Sequence, residues 1–300
     1  MIDKRYTVID LGSNSFHMMT VTKNGDGFSV FSKKKEKVRL ASGLDKNNNL
    51  NQKTVKIALN CLQKFRDELD TLQPEKIIIT ATAALRLANN KQLFIQQAEK
   101  TLKLPINLIS GIEEAKTIYR GVAFTEKNKE QLLVIDIGGA STELIIGKGS
   151  EVAKAESLHM GCVTWHNNYF SNNKLSNDNF SHAILHAKKI IQPHINHYQE
   201  LKWALCMGAS GTIQAVNEVN SKQKLEDKIT LKLLNKIKQQ CIDSKEIDKL
   251  NVDGLKESRK AVFASGLAIL IALFECLDIE IITPSKGALR EGLISILFEK

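Results

Sequence analysis

The chain has 300 residues, of which 43% are hydrophobic and 25% are charged, a composition typical of a globular protein and not of a disordered one. A chain of this length is longer than a domain with one modest hydrophobic core, and it suits two domains. The formal net charge of +9 predicts an anionic partner. Charge alone does not choose among nucleic acid, an acidic membrane surface and a polyphosphorylated substrate.

The N-terminus, MIDKRYTVIDLG, enters a strand-like run at once and lacks the apolar region of a signal peptide. The longest uncharged stretch, residues 261–274, is shorter than the ~17–25 residues that span a bilayer, which favours a buried helix. The five cysteines are widely spaced and form no CxxC pair, which indicates reduced thiols rather than a zinc site or a disulfide framework. We therefore expect a cytoplasmic protein.

Two similar segments occur in the two halves of the chain, YTVIDLGSNS at residues 6–15 and LVIDIGGAST at residues 133–142. In each, an apolar strand ends in Asp, a turn of small residues follows, and a second strand begins. The segments recur once, in opposite halves of the chain, which indicates two related domains rather than a solenoid, whose repeats have a period of ~20–50 residues.

Strands alternate with helices along both halves, which predicts an α/β fold. In the first half we predict strands at 76–80 and 106–109 and helices at 52–69, 83–88, 92–102 and 113–122. In the second half we predict strands at 203–207 and 279–283 and helices at 179–198, 212–219, 231–242, 259–277 and 290–298. The polar residues 123–131 indicate a junction, which gives domains of 1–125 and 126–300.

Both Asp turns carry residue types that bind phosphate and metal ions. Glycine and hydroxyl residues let backbone N–H groups approach phosphate oxygens, and an Asp at a strand end holds a divalent cation or orients water. A strand follows each turn, so neither is a Walker or Rossmann loop, which lead into a helix. For either turn alone, the alternative is an Asx turn that closes a hairpin.

A third glycine-rich segment, MGASGT at residues 207–212, connects a predicted strand to a predicted helix. The N-terminal N–H groups of such a helix bind anions. The alternative is that Ser210 or Thr212 is a simple N-cap.

Two adjacent glutamates follow Ser110. Ser110 and Glu113 have the spacing of a capping box, which explains Glu113. Glu114 is either an ordinary acidic residue in the first helical turn or a general base toward water. Arg86 begins a short predicted helix, where it either binds phosphate or is solvated.

The histidine spacings and one basic run could indicate function, but each also has an explanation as ordinary protein surface. The histidines at 182, 186, 194 and 197 lack an HExxH pattern, and we interpret them as surface residues. The basic run Lys33–Arg39 is either a solvated strand face or an electrostatic guide for an anionic substrate.

Together the motifs resemble those of the exopolyphosphatase and guanosine pentaphosphate phosphatase family. The matching segments, in the expected order, are DLGSNSFHM (10–18), SGIEEA (110–115), DIGGASTE (136–143), GASGT (208–212) and ALREG (288–292). Residues 136–143 and 160–165 are more similar to the guanosine pentaphosphate phosphatase branch. The resemblance implies two similar α/β domains of the actin, sugar-kinase and Hsp70 (ribonuclease H-like) superfamily flanking a cleft.

The resemblance also implies roles for single residues. Glu114 would activate water, Asp136 and Glu143 would hold Mg²⁺ or the nucleophilic water, and Asp10 would do similar work from the other domain. The implied phosphate site consists of Ser13, Asn14, Arg86, Gly138, Gly139, Ser141, Thr142, Ser210, Gly211 and Thr212. Ala140 stands where many members have a glycine, which matters if that position needs a positive φ.

The expected function is removal of the terminal phosphate of guanosine pentaphosphate, and of inorganic polyphosphate. Many relatives continue into another helical domain where this sequence stops, which disfavours processive attack on long polyphosphate. The alternatives are an exopolyphosphatase for short polyphosphate and a non-catalytic alarmone or nucleotide sensor. Nucleic-acid binding would rest on charge alone, no membrane partner is expected, and a homodimer is left open.

Overall fold

A computed structural model describes residues 4–299. Its contacts divide the chain into two units. The first comprises the described residues of 1–126 together with those of 287–300, and the second comprises residues 127–286. Each unit has one five-stranded sheet.

The elements follow the alternation that the sequence predicts. The strands are β1 (Arg5–Leu11), β2 (Ser15–Asn24), β3 (Gly27–Lys37), β4 (Lys76–Ala81), β5 (Asn107–Leu108), β6 (Gln131–Ile137), β7 (Thr142–Lys148), β8 (Glu151–Leu158), β9 (Leu205–Ala209) and β10 (Thr283–Pro284). The helices are α1 (Gln52–Leu72), α2 (Ala83–Leu87), α3 (Lys91–Leu102), α4 (Gly111–Glu126), α5 (Cys162–Tyr169), α6 (Asn177–Ile191), α7 (Ile195–Leu201), α8 (Ser210–Gln223), α9 (Leu231–Asp243), α10 (Lys260–Leu277) and α11 (Leu289–Glu299).

The sheet of the first unit has the order β3-β2-β1-β4-β5. Strands β1, β2 and β3 are antiparallel neighbours, whereas β4 is parallel to β1. Asp10 lies opposite His17 on β2 and opposite Thr80 on β4, and His17 lies opposite Lys35 on β3. Because directly opposed residues share a face of the sheet, these four side chains form one row across it.

The sheet of the second unit repeats this topology, with the order β8-β7-β6-β9-β10. Strand β6 takes the place of β1, and Asp136 lies opposite Glu143 on β7 as Asp10 lies opposite His17 on β2. The prediction of two similar α/β domains is therefore confirmed by strand order and register.

In the first unit, α1 packs on the face of β3 that carries Lys34 and Glu36, since these side chains form ion pairs with Glu68 and Lys64 of α1. Helix α11 packs against α4, β1 and β4. A Cβ at Gly292 would collide with the backbone of Thr117, so only glycine permits this close approach of α11 to α4.

In the second unit, α10 is the central core helix and packs against α5, α6 and α9. Every residue from Phe263 to Phe274 is buried. Within residues 4–299, Glu257–Leu277 is the one helical stretch long and apolar enough to cross a membrane. An 18-residue window within it has a mean hydropathy of 2.0, and 72% of that window is buried in the protein. The predicted buried helix is confirmed, because packing in this core accounts for its apolar character.

The structure differs from the sequence predictions in five respects. Strand β8 and helix α5 were not predicted. The helix expected at 179–198 is interrupted at the 3₁₀ turn Gln192–His194, because Pro193 has no N–H to donate. The strand expected at 279–283 is reduced to β10. Residues 287–299, predicted in the second domain, group with the first unit because α11 packs on α4 and β1.

Candidate active site

Asp10 is the penultimate residue of β1, one position before the turn that leads into β2. The N–H of Arg39 donates to the Asn14 carbonyl at 2.9 Å and holds this turn from outside. A Cβ at Gly12 would lie 2.9 Å from the carbonyl oxygen of Ser15, so the turn requires glycine. The predicted tight hairpin is present.

Ser13 and Asn14, both predicted in the phosphate site, lie in this turn. Ser13 is buried, and its Oγ accepts a hydrogen bond of 3.1 Å from the N–H of Ala84 at the start of α2. This contact gives Ser13 a structural role in joining the turn to α2. Phosphate binding by Ser13 and Asn14 stays a prediction.

The Asp10 carboxylate is in an unusual electrostatic environment. Its Oδ1 atom is buried without a hydrogen-bond partner. Burial raises the pKa of Asp10 to about 7, the carboxylates of Glu114 and Glu291 act in the same direction, and the Arg290 guanidinium opposes them. Because an unsatisfied buried oxygen is costly, a cation or a ligand donor at this position would stabilise the charged form.

Glu113 and Glu114 both lie in the first turn of α4 but have different partners. The N–H of Ser110 donates to Oε2 of Glu113 at 2.8 Å, and the N–H of Glu113 donates to Oγ of Ser110 at 3.2 Å. The predicted capping box is therefore confirmed. Glu114 is only 8% exposed and takes no part in this cap.

Glu114 is held by residues that follow β4. Nη1 of Arg86 donates to Oε2 of Glu114 at 2.6 Å and to the carbonyl of Ile109 at 3.2 Å. Burial raises the pKa of Glu114, opposed by the charge and hydrogen bond of Arg86 and by a hydrogen bond from Thr82. Arg86 is therefore not a merely solvated helix residue. Glu114 interacts with the side chains of Arg86 and Thr82, and not only with the N-terminus of its own helix.

Arg290 joins this group from α11, and no role was assigned to it from the sequence. Its Nη1 lies 3.2 Å from Nδ1 of His17, the cross-strand partner of Asp10. The signal for Arg290 was the match of the segment ALREG to the family. Only the packing of α11 on β1 shows that this residue acts electrostatically on Asp10.

In the second unit, Asp136 and Glu143 lie side by side on β6 and β7. They are 8% and 1% exposed, and Oγ of Ser157 donates to Oε1 of Glu143 at 2.8 Å. Opposed residues of an antiparallel pair have Cβ atoms about 4.5–5.5 Å apart. Two buried carboxylates at that separation repel each other, so a cation, a proton or hydrogen-bond donors must stabilise them.

The turn between β6 and β7 is held by the start of α5. The N–H of Cys162 donates to the carbonyl of Gly138 at 2.9 Å, and the N–H of Val163 donates to that of Gly139 at 2.8 Å. Ala140 is not among the described residues with a positive φ, so its replacement of glycine causes no backbone strain.

The hydroxyl residues of this turn are buried. Thr142 donates from Oγ1 to the carbonyl of Met160 at 2.6 Å, which fixes its side chain toward the unit interior. Ser141 is 3% exposed. The predicted roles of Ser141, Thr142, Gly138 and Gly139 in binding phosphate remain predictions.

The third glycine-rich segment begins α8, but no side chain caps this helix. Ser210, with a φ of 78°, donates from Oγ to the carbonyl of Ile137 at 2.9 Å and accepts from its N–H at 3.1 Å. Thr212 is buried, and the Arg259 guanidinium fills the space where Gly211 would carry a Cβ. The N-cap alternative for Ser210 and Thr212 is therefore wrong, and Arg259 is a cation near this helix start that sequence reasoning missed.

Comparison with known proteins identifies the family. Residues 19–300 match the Ppx/GppA phosphatase family. The chain belongs to this family. The chain is 47% identical over 289 residues, 96% of its length, to the guanosine-5'-triphosphate,3'-diphosphate pyrophosphatases of Aeromonas hydrophila and Vibrio cholerae. It spans 58% of the length of each of these curated relatives.

Solved structures of Ppx/GppA members share the fold. An exopolyphosphatase from Cytophaga hutchinsonii superposes with a TM-score of 0.88 at 24% identity, covering 99% of this chain and 98% of that one. The Aquifex aeolicus member superposes with a TM-score of 0.78 at 21% identity, covering 99% of each chain. These similarities confirm the predicted two-domain actin-like fold.

The predicted metal ligands of this Ppx/GppA protein offer the right chemistry for a hard divalent cation. Carboxylate oxygens are the preferred ligands of Mg²⁺, and Asp136 and Glu143 form a buried pair of them, while Asp10 has an unsatisfied buried oxygen. Within residues 4–299, no group of three or more His, Cys, Asp or Glu side chains is arranged as a metal site. A cation bound here would therefore take further ligands from substrate or water.

The structure thus assembles part of the predicted site in each unit. It joins Asp10, Arg86 and Glu114 in the first unit and adds Thr82 and Arg290. It joins Asp136 and Glu143 in the second unit, beside the turn at residues 138–141. The five described cysteines form no disulfide, and reduced thiols stay a prediction.

Proposed function

We propose that this chain hydrolyses the terminal phosphoanhydride bond of guanosine pentaphosphate, releasing phosphate and guanosine tetraphosphate, in the cytoplasm. The observation that carries the proposal is the buried Glu114, which Arg86 and Thr82 orient and which helix capping does not use. The names of the relatives at 47% identity support the choice of substrate.

Hydrolysis of a phosphoanhydride requires a water molecule in line with the breaking bond and neutralisation of the transferred phosphoryl group. Glu114 is the general base: it accepts a proton from the water whose oxygen attacks phosphorus, and the bond from phosphorus to the bridging oxygen breaks. A pKa raised by burial suits this role, because a stronger base accepts the proton more readily.

Arg86 orients Glu114 and contributes positive charge. Both of its contacts, to Glu114 and to the Ile109 carbonyl, come from Nη1. Nε and Nη2 provide the remaining three of the five N–H donors of the guanidinium, in a geometry that suits phosphate oxygens. Arg86 therefore holds the base with one nitrogen and offers phosphate the other two.

A divalent cation, taken as Mg²⁺, completes the proposal, and Asp136 and Glu143 would be its protein ligands in the second unit. In the first unit, Asp10 is the carboxylate that would hold a cation or orient water. Such an ion neutralises phosphate charge when bound. Backbone N–H groups of the turns at residues 12–14 and 138–141 and of the α8 N-terminus would bind the phosphate oxygens.

The decisive experiment measures phosphate release from guanosine pentaphosphate, inorganic polyphosphate and ATP side by side with Mg²⁺. We expect the highest kcat/KM for guanosine pentaphosphate. A higher kcat/KM for short polyphosphate would make the protein an exopolyphosphatase. Tight binding of guanosine pentaphosphate without phosphate release from any of the three would make it a nucleotide sensor.

A further inference from the structure

The basic run of β3 is divided between the two faces of the first unit's sheet. Lys34 and Glu36 lie on the face covered by α1 and form ion pairs with Glu68 and Lys64. Lys33, Lys35 and Lys37 alternate with them, so they lie on the opposite face. This is the face that carries Asp10 and His17.

The register of the sheet gives the distance between this lysine face and the proposed active site. Lys35 lies opposite His17, which lies opposite Asp10. Neighbouring strands are about 4.8 Å apart, so the Cα atoms of Asp10 and Lys35 are separated by roughly 10 Å. That distance is within reach of a second phosphate group on a substrate whose terminal phosphate lies near Asp10, on which the Glu114 carboxylate also acts.

Arg290 contacts the row of side chains that runs from Asp10 through His17 to Lys35. Its Nη1 is 3.2 Å from Nδ1 of His17. Burial lowers the pKa of Lys33, and the positive charge of Arg290 lowers it further, while Glu291 opposes both. The two cations are therefore close enough to repel each other, and a bound anion would relieve this repulsion.

The ordinary explanation for lysines on β3 is protection of an edge strand against pairing with another chain. That explanation requires charge on the strand but not on a particular face. It does not account for Arg290, which reaches the same face from the end of the chain through α11.

We propose that Lys33, Lys35 and Arg290 form a second anion subsite, which binds the phosphate groups of the substrate that are not transferred. This inference rests on the proposed function for its choice of substrate. The ligand chemistry is a diphosphate or polyphosphate group, from either the 3'-diphosphate of a guanosine nucleotide or the distal part of an inorganic polyphosphate chain.

The test compares substrates that differ only in the additional phosphates. The Lys33→Gln/Lys35→Gln double variant is assayed on guanosine pentaphosphate against GTP, and on a long polyphosphate against tripolyphosphate. We expect KM to rise at least about tenfold for the member of a pair with additional phosphates, with kcat unchanged and with no change for the shorter member. A rise confined to the nucleotide pair assigns the subsite to the 3'-diphosphate, and one confined to the polyphosphate pair assigns it to the chain.

Lys53→Gln/Lys56→Gln is the matched control, because it removes the same charge from the exposed surface of α1. Equal rises in KM for both members of each pair, equal effects of the two double variants, or no rise at all would overturn the proposal. Calorimetry can also compare the affinity of the protein for guanosine tetraphosphate with its affinity for GDP, and this measurement needs no turnover. It therefore tests the subsite even if the proposed hydrolysis proves wrong.

Discussion

The Nη1 atom of Arg86 lies 2.6 Å from Oε2 of Glu114, and both side chains are largely shielded from solvent. Removing one partner of such a pair leaves an uncompensated buried charge, which is costlier than losing an exposed ion pair. The pair therefore makes the charge state of Glu114 depend on Arg86. The prediction for Arg86→Gln uses this dependence.

Glu114→Gln preserves size and helix propensity but removes the carboxylate that accepts the proton of water. We expect kcat to fall by about 10²–10⁴-fold, with substrate affinity unchanged or slightly higher because one negative charge is lost. Steady-state kinetics with guanosine pentaphosphate measure both quantities. Glu113→Gln is the control, because Glu113 serves the capping box, and it should cost at most ~0.5–2 kcal/mol of stability, since Gln can also complete such a box. Equal losses of activity in the two variants would contradict a role in proton transfer.

Arg86→Gln should move the acid limb of the pH–rate profile to higher pH. The charge and hydrogen bond of Arg86 lower the pKa of Glu114 against the larger effect of burial, so their loss raises that pKa. Glu114 would then be protonated, and inactive as a base, at a pH where the wild-type residue is still ionised. The profile of kcat/KM measures the shift.

Arg120→Gln provides a comparison on α4, since Arg120 pairs with Glu299 and Ser295 away from Glu114. It should leave the acid limb in place. An unchanged limb in Arg86→Gln would mean that another group controls it.

Asp10→Asn should stabilise the protein without divalent cations at pH 8. Burial raises the pKa of Asp10 to about 7, so its folded-state pKa lies above its unfolded value. Stability from this group is present at low pH and is lost as the pH rises toward 7. We expect a gain of about 1 kcal/mol or more at pH 8, or ~2–4 °C in Tm, and a smaller gain at pH 5. Thermal unfolding in EDTA measures both, and the exposed Asp26→Asn should show no such pH dependence.

Removal of divalent cations should abolish turnover. Asp136 and Glu143 place two buried carboxylates together, and Asp10 adds a third in the first unit. Without a cation these groups would repel an anionic substrate. Phosphate release in excess EDTA, followed by addition of excess Mg²⁺, tests this. Full turnover in EDTA would refute the metal role.

Local patterns allowed a large part of the fold to be predicted. The two Asp hairpins, the capping box of Ser110 and Glu113 and the apolar helix α10 each depend on residues close together in sequence, and each is present. The equivalence of the two sheets followed from the repeated turns, although the sequence did not reveal strand β8.

The remaining features depend on contacts between distant residues. No local pattern indicates that Arg290 acts on Asp10, or that Arg259 covers Gly211. Likewise, the division of the β3 lysines between two faces required the register of the strand. Helix capping was the alternative to phosphate binding for Ser210, but its hydroxyl binds the end of β6, a strand remote in sequence.

The close contact of Gly292 with the backbone of Thr117 has a consequence for the order of folding. The first unit is discontinuous, because its α11 is encoded after the whole of the second unit. During synthesis on a ribosome, which adds residues from the N-terminus, the first unit lacks one of its packing helices until the whole of the second unit has been made. The second unit is continuous, and its contacts span shorter separations in sequence. We therefore expect the inserted unit to mature first, while the enclosing unit stays incomplete until α11 docks.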